Sequence, residues 1–496
     1  MHNFDIVIIG SGAGGGTIAR ELAPTGAKIL IAERGDFIPQ EDHNWNPSSV
    51  WKDLRYRTTE VWLDESGQVF RPYTHYCVGG NTKFWGTVMY RLRRDDFKEV
   101  KHADGVSPGW PIDYETLEPF YDRAEAMYEV HGEAGLDPTE ADRHPYPFPP
   151  VPHSTVVGAI VEQLKAQGLH PSPLPLGLRD NCVFCNTCNS FPCKIHAKSD
   201  AEVCAVRPAT SYPNVTLWTN ANARKLFTDR TGKKIEAIEI EHGRIVEKVW
   251  APLVIVACGA VNSAALLLRS ANEKHSRGLA NSSGLVGRRY MAHLATMMQG
   301  FHPLKRNDTV FQKTVAINDF YWKGPGHDYP LGQIQSQGRT HGVMAQTVVP
   351  QVPLWAYEAW VARGVDWLAM TEDLPRLDNR VTIADGGRIR LSYKPNNLRP
   401  HQELVNETKK ILKKLGFWIV MTHSHKAKNT THQCGTLVFG TDPRESVLDT
   451  YCRTHDIDNL FVVDASFFPS SAAVNPGLTI VAQAIRVADH IKSTRI

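Results

Sequence analysis

Asp5-Ile6-Val7-Ile8-Ile9 runs without a break into Gly10-Ser11-Gly12-Ala13-Gly14-Gly15, and this junction constrains the fold more than any other stretch of the chain. Consecutive β-branched residues suit a strand buried on both faces of a parallel sheet. Gly10 permits a tight turn, Gly12 lets the backbone approach a pyrophosphate, and Gly15 lets a helix beginning near Thr17 pack on the strand. The phosphates would lie at that helix's N-terminus, where free N–H groups and the helix dipole favour an anion. A second strand, Lys28–Ala32, ends at Glu33, about 20 residues downstream, where an acid accepts ribose hydroxyls. Strand, glycines, helix, strand and acid in this order predict a Rossmann-like α/β domain that binds a dinucleotide. The acid suits NAD and FAD alike.

Three later segments bear on that choice. Val78-Gly79-Gly80-Asn81-Thr82-Lys83-Phe84-Trp85-Gly86 is a second glycine turn, too far from the first to share its βαβ unit, and implies another close backbone approach to a ligand. Ala251–Cys258 reads as a strand leading into Gly259-Ala260 and a helix over Ala264–Arg269. Asn459–Ala465 reads as a strand, after which Asn475-Pro476-Gly477 opens an amphipathic helix reaching about His490.

In this order the segments resemble the glucose-methanol-choline oxidoreductases, from residue 5 to residue 490. The resemblance implies FAD. It likens the Gly10 loop, with Gly12, Ala13, Gly15 and Glu33, to the family's ADP-binding motif, and Gly79, Gly80, Asn81 and Trp85 to its flavin-facing loop. Gly259-Ala260 resembles the second signature, and Asp464, Ala465 and Asn475-Pro476 the C-terminal one; Ala223 falls where the family places a strand near the adenine. In related pyranose oxidases a His before the Trp of the second loop carries the flavin covalently. Phe84 stands there instead, so FAD is expected to be held non-covalently.

Thr431-His432-Gln433-Cys434-Gly435-Thr436 resembles the family's His-x-x-Gly-Thr element, and Asn475 takes the second place of a His/Asn pair. The resemblance implies alcohol oxidation. A neutral imidazole suits removal of a hydroxyl proton while hydride leaves the carbinol carbon, which makes His432 the candidate base. Asn475 would hold the same oxygen. It equally reads as a helix N-cap before a first-turn proline.

Five of the nine cysteines fall between Cys182 and Cys204. The spacing Cys182-x2-Cys185-x2-Cys188-x4-Cys193 suits an iron-sulfur cluster relaying electrons, as in some sugar dehydrogenases this segment resembles, or a structural zinc. Free thiols or a disulfide-stapled loop are the plainer alternative.

At 496 residues the chain exceeds the ~250–300 at which single cores stop growing. The flavin motifs predict a discontinuous FAD-binding domain over 1–95, 200–295 and 430–496. An inserted segment, 96–199, would carry the cysteine-rich loop. An α+β substrate domain with a mixed or antiparallel sheet would occupy 297–429, with strands at Leu331–Gln335 and Arg388–Tyr393 and a helix at Pro400–Leu415 behind the sheet.

Gln333, Gln335 and Trp355, with Trp322, Arg339 and Trp360, are candidates to hold a polyol. The preferred substrate is a sugar or glycoside oxidised at ring C3 or C2, with oxygen, quinone or another acceptor taking the electrons. A polyol, sterol or long-chain alcohol dehydrogenase and a non-redox flavoprotein are the alternatives. A net charge of +3 with scattered Lys and Arg predicts no nucleic-acid partner. No apolar window is long enough to span a bilayer. A first strand beginning by Asp5 leaves no room for a secretion signal, so a cytoplasmic protein is expected.

Overall fold

The computed structural model describes residues 2–426, 428 and 430–496. Its centre is a five-stranded, fully parallel sheet in the order Val215–Trp218, Ile29–Ala32, Ile6–Ile9, Leu253–Val256, Leu460–Val462. The strands Ile6–Ile9, Ile29–Ala32 and Leu253–Val256 are buried throughout, as a sheet covered on both faces requires. The helices Ala13–Leu22 and Gly477–Thr494 pack on each other, and Ala260–Arg269 begins directly after the strand Leu253–Val256. A four-stranded sheet of His2–Asn3, Ile245–Trp250, Ile235–His242 and Ala221–Thr228 adjoins them.

Glycine is required where these elements meet. A Cβ on Gly14 would lie 1.6 Å from the Val463 carbonyl oxygen, and one on Gly15 would lie 2.0 Å from that of Gly10. Both therefore set the approach of the first helix to the sheet. Gly12 has nothing within 4 Å of that position and faces open space.

A second sheet is antiparallel and six-stranded: Ile419–Ser424, Leu294–Phe301, Gly364–Thr371, Gln333–Ser336, Val315–Ile317, Pro171–Pro173. The helices Thr155–Ala166 and Leu398–Lys414 bury one of its faces through Ile160, Leu164, Leu404 and Ile411. Its other face is free to line a cavity. The expected Arg388–Tyr393 strand forms as Ile389–Ser392 but belongs to a third sheet, where it pairs with Arg380–Ile383 and with Trp62–Leu63. Among the described residues no helix is long and apolar enough to cross a membrane.

Candidate active site

The free face of the antiparallel sheet and the ends of the parallel strands enclose a cavity of about 930 Å³. It is lined by the Gly10–Gly14 turn, Glu33, Ala223, Gly80, Asn81, Trp85, Gly259, Asp464, Ala465 and Pro476, and equally by His432 and Asn475. Gly15 and Gly79 stand behind this lining. Gly79 N donates to Ser11 Oγ at 3.1 Å, which ties the two glycine loops together.

Glu33 accepts from Ser11 N at 3.0 Å, Ser11 Oγ at 2.6 Å and Gly35 N at 2.9 Å. Burial nevertheless raises its carboxyl above the usual range. Asp464 accepts from Gly259 N at 2.9 Å and from Ser263 Oγ, and so fixes the start of the Ala260–Arg269 helix. Trp85 covers Gly477, where a Cβ would lie 2.7 Å from the indole ring. Phe84 stacks on His75 at 3.5 Å between ring centroids.

His432 sits in the left-handed region at φ 52°, a conformation kept only where the surroundings over-determine it. Its Nδ1 lies 2.9 Å from Nδ1 of His293, whose Nε2 lies 3.1 Å from the Ser471 carbonyl and 3.0 Å from that of Ala472. Carbonyls only accept, so His293 carries its proton on Nε2 and presents Nδ1 as an acceptor. His432 must then donate from Nδ1, which leaves its Nε2 with a lone pair. Burial pushes the His432 imidazole well below its ordinary value, and the neighbouring His293, His425 and Lys313 push it the same way. The ring is therefore neutral and basic at Nε2.

Asn475 Nδ2 lies 3.5 Å from His432 Nε2, while Asn475 Oδ1 is buried without a partner among the described residues. The side chain makes no cap bond. Pro476 is the N-cap of Gly477–Thr494, so the capping reading does not apply.

The roof is built by register. His423, Met297, Leu368 and Gln335 form one row across four strands, and Gln299, Gln337 and Asp366 also line the cavity. Of the six side chains expected to hold a polyol, only Gln335 lines it. Gln333 is fully buried two residues away and gives its Nε2 to Asn318 Oδ1 at 2.9 Å. Trp355 is 74 % exposed on the helix Leu354–Val361. Trp360 stacks on Phe301 and donates to Gln299.

The iron-sulfur or zinc site expected at Cys182, Cys185, Cys188 and Cys193 is not shown. All four are free thiols, and no three His, Cys, Asp or Glu side chains among the described residues are placed to share a metal ion. Three sulfurs instead accept bonds from their own loop: Cys182 from Phe184 N at 3.5 Å, Cys185 from Thr187 Oγ1 at 3.4 Å and Cys193 from Ala197 N at 3.3 Å. Burial pushes the Cys182 thiol to about 11 and raises that of Cys188.

The loop has another use. Buried Lys198 Nζ donates to the carbonyls of Trp85 at 2.9 Å, Cys188 at 2.7 Å and Phe191 at 2.6 Å, and reaches that of Lys83 at 3.3 Å. It thereby braces the second glycine loop against the cysteine loop. Sequence reasoning gave no role to His293, Lys198 or Lys313, because the partners of each are remote in the chain or are backbone atoms.

Two family models match the chain, both described as GMC oxidoreductase, over residues 5–295 and 375–484. Among curated proteins it is 31 % identical to a paromamine 6'-oxidase from Streptomyces fradiae, over 98 % of this chain and 91 % of that one. It is 26 % identical to the fructose dehydrogenase large subunit of Gluconobacter japonicus, over 98 % and 97 %. The fold matches a pyridoxine 4-oxidase from Mesorbium loti, with a TM-score of 0.69 at 19 % identity over 100 % of both chains.

Proposed function

The chain belongs to the GMC oxidoreductases, a family of FAD-dependent enzymes acting on CH–OH groups, and we propose that it oxidises a secondary ring hydroxyl of a sugar or glycoside, at C3 or C2, to a keto-sugar. The observation that carries this reading is His432 Nε2, unprotonated and facing the same cavity as the glycine loops.

The residues present fit FAD. The cavity is of ligand size, Gly12 leaves open space for a pyrophosphate, and Asn475 Oδ1 and Trp85 Nε1 are buried without partners. The Gly10–Gly14 turn would take the pyrophosphate, Glu33 the ribose and Ala223 the adenine side. Gly80, Asn81, Trp85, Ala465 and Pro476 would hold the ring, without a covalent bond at Phe84. Bound there, FAD supplies the hydride acceptor.

The chain's own part is to move the proton. The substrate hydroxyl donates to His432 Nε2, which takes its proton as the C–H bond breaks, and Asn475 Nδ2 donates to the same oxygen as it gains negative charge. His293 keeps the imidazole in the basic tautomer. Gln335, buried in the roof with neither amide atom partnered among the described residues, suits a polyol better than a sterol or long alkyl chain, which would leave it unpaired. No step is routed through the cysteines, and the acceptor, oxygen or a quinone, would meet the reduced cofactor directly.

Anaerobic mixing of the holoenzyme with sugars, glycosides and sterols tests this. The sugars are expected to bleach the flavin, with NMR of the product locating the carbonyl, and air or quinone to restore the colour. Failure of every sugar to bleach it would return the chain to a non-redox role.

A further inference from the structure

Three cations other than histidine line the cavity: Arg34, Arg269 and Lys313. Arg34 pairs with Glu60 at 3.1 Å, and Arg269 gives its guanidinium to the Gly387 carbonyl. Lys313 differs. It is buried, and its Nζ donates only to the Gly86 carbonyl at 3.0 Å and to Asn189 Oδ1 at 3.4 Å. An ammonium has three N–H groups, so one remains to be filled.

No carboxylate among the described residues pairs with Lys313. The three that line the cavity are taken up by neutral donors: Glu33 by Ser11 and Gly35, Asp464 by Gly259 and Ser263, and Asp366 by Gln299, Gln312 and Thr340. Cys188 is its nearest potential anion, and burial keeps that thiol protonated. An unpaired buried ammonium is costly unless something neutralises it.

Space has been left for this ammonium. A Cβ on Gly86 would lie 1.9 Å from Nζ, so the glycine loop lacks a side chain where Lys313 enters. Lys313 lies two residues before the Val315–Ile317 strand, whose Ala316 pairs with Gln335. Gln335 lines the cavity, is fully buried, and has no partner among the described residues for either amide atom. Two polar side chains lining one cavity are thus left unfilled.

We propose that Lys313 and Gln335 form the receptor for a carboxylate, so that the sugar oxidised here is an acidic one such as a uronate. This rests on the sugar-oxidising reading and narrows it. Lys313 would take one carboxylate oxygen through its free N–H and Gln335 Nε2 would take the other, placing the ring beside His432. A carboxylate at C6 also removes the primary hydroxyl and leaves ring hydroxyls to react. Burial depresses the Lys313 ammonium to about 8, so it remains charged at neutral pH, and its charge is felt at His432. An amino sugar would meet a like charge.

Anaerobic calorimetric titration of the FAD-loaded His432→Ala protein, whose turnover is slowed, with glucuronate, glucose and glucosamine tests the site. Glucuronate is expected to bind about 10- to 100-fold tighter than glucose, the range of a charged hydrogen bond, and glucosamine no tighter. Adding Lys313→Met should bring glucuronate and glucose level, whereas Lys313→Arg should keep most of the preference. Flavin content is measured for each protein, and Lys313→Gln, which still donates to the Gly86 carbonyl, replaces the Met variant if that loses FAD. Equal binding with Lys313 intact, or a preference that survives its removal, overturns the proposal. Flavin bleaching without a carboxylate preference rejects this site alone, while a preference without bleaching rejects the oxidation and leaves the site standing.

Discussion

His293 and His432 face each other through like atoms, Nδ1 to Nδ1 at 2.9 Å, and one of the two must donate. The carbonyls of Ser471 and Ala472 decide which, by claiming the proton of His293 Nε2. Two backbone oxygens thus set the protonation state of the imidazole at the centre of the cavity.

His432→Ala removes the base and leaves the glycine loops untouched. The variant should purify yellow and lose substrate-driven flavin bleaching by about 10²–10⁴-fold. Stopped-flow absorbance checks this, and an unchanged rate would remove His432 from the mechanism.

His293→Phe takes away the acceptor at Nδ1 while keeping a ring of similar size. His432 is then free to place its proton on Nε2, and kcat should fall by about 10²-fold with little change in KM. The acid limb of the rate profile should move as well, which a packing defect alone would not produce.

The acid limb of kcat/KM should lie well below pH 6.5. In the proposed mechanism the reacting form is the neutral base, and burial followed by the neighbouring His293, His425 and Lys313 lowers the pH at which His432 gains a proton. Activity should therefore hold steady as pH falls through 6.5 and drop only below it. Asn475→Asp, which sets a carboxylate beside Nε2, should shift that limb upward.

Gly12→Ala and Gly14→Ala separate ligand binding from packing. The Gly12 Cβ meets nothing within 4 Å, whereas the Gly14 Cβ meets a main-chain oxygen at 1.6 Å. The first variant should fold with near-normal apo-protein stability and bind FAD more weakly. The second should lose about 3 kcal/mol or fail to fold, since neither backbone can yield cheaply. Thermal melts of apo-protein and flavin titration read the two effects.

The central sheet was legible because its signals are local. Ile6–Ile9 with Gly10, and Leu253–Val256 with Gly259, are strand-turn-helix junctions whose burial and turn chemistry are written in adjacent residues. Gln333 and Gln335 show where local reading stops. They point to the same side of one strand, but only the register across the sheet decides that Gln335 meets the cavity and Gln333 meets Asn318. His293 reaches its partner across 139 residues and Lys313 reaches Gly86 across 227, so no window of sequence contains either relationship. For the cysteines, spacing named possible ligands, and convergence depended on how the loop turned each sulfur.

The central sheet is assembled from strands beginning at residue 6 and ending at residue 462, and its last strand pairs with Leu253–Val256. During synthesis that inner edge therefore stands open until Leu460–Val462 has emerged, and a chain stopped shortly before Leu460 would expose it. His432, Asn475 and the Gly477–Thr494 helix arrive in the same final stretch. The order of translation thus brings the proposed base in only after the strands Ile6–Ile9, Ile29–Ala32 and Leu253–Val256.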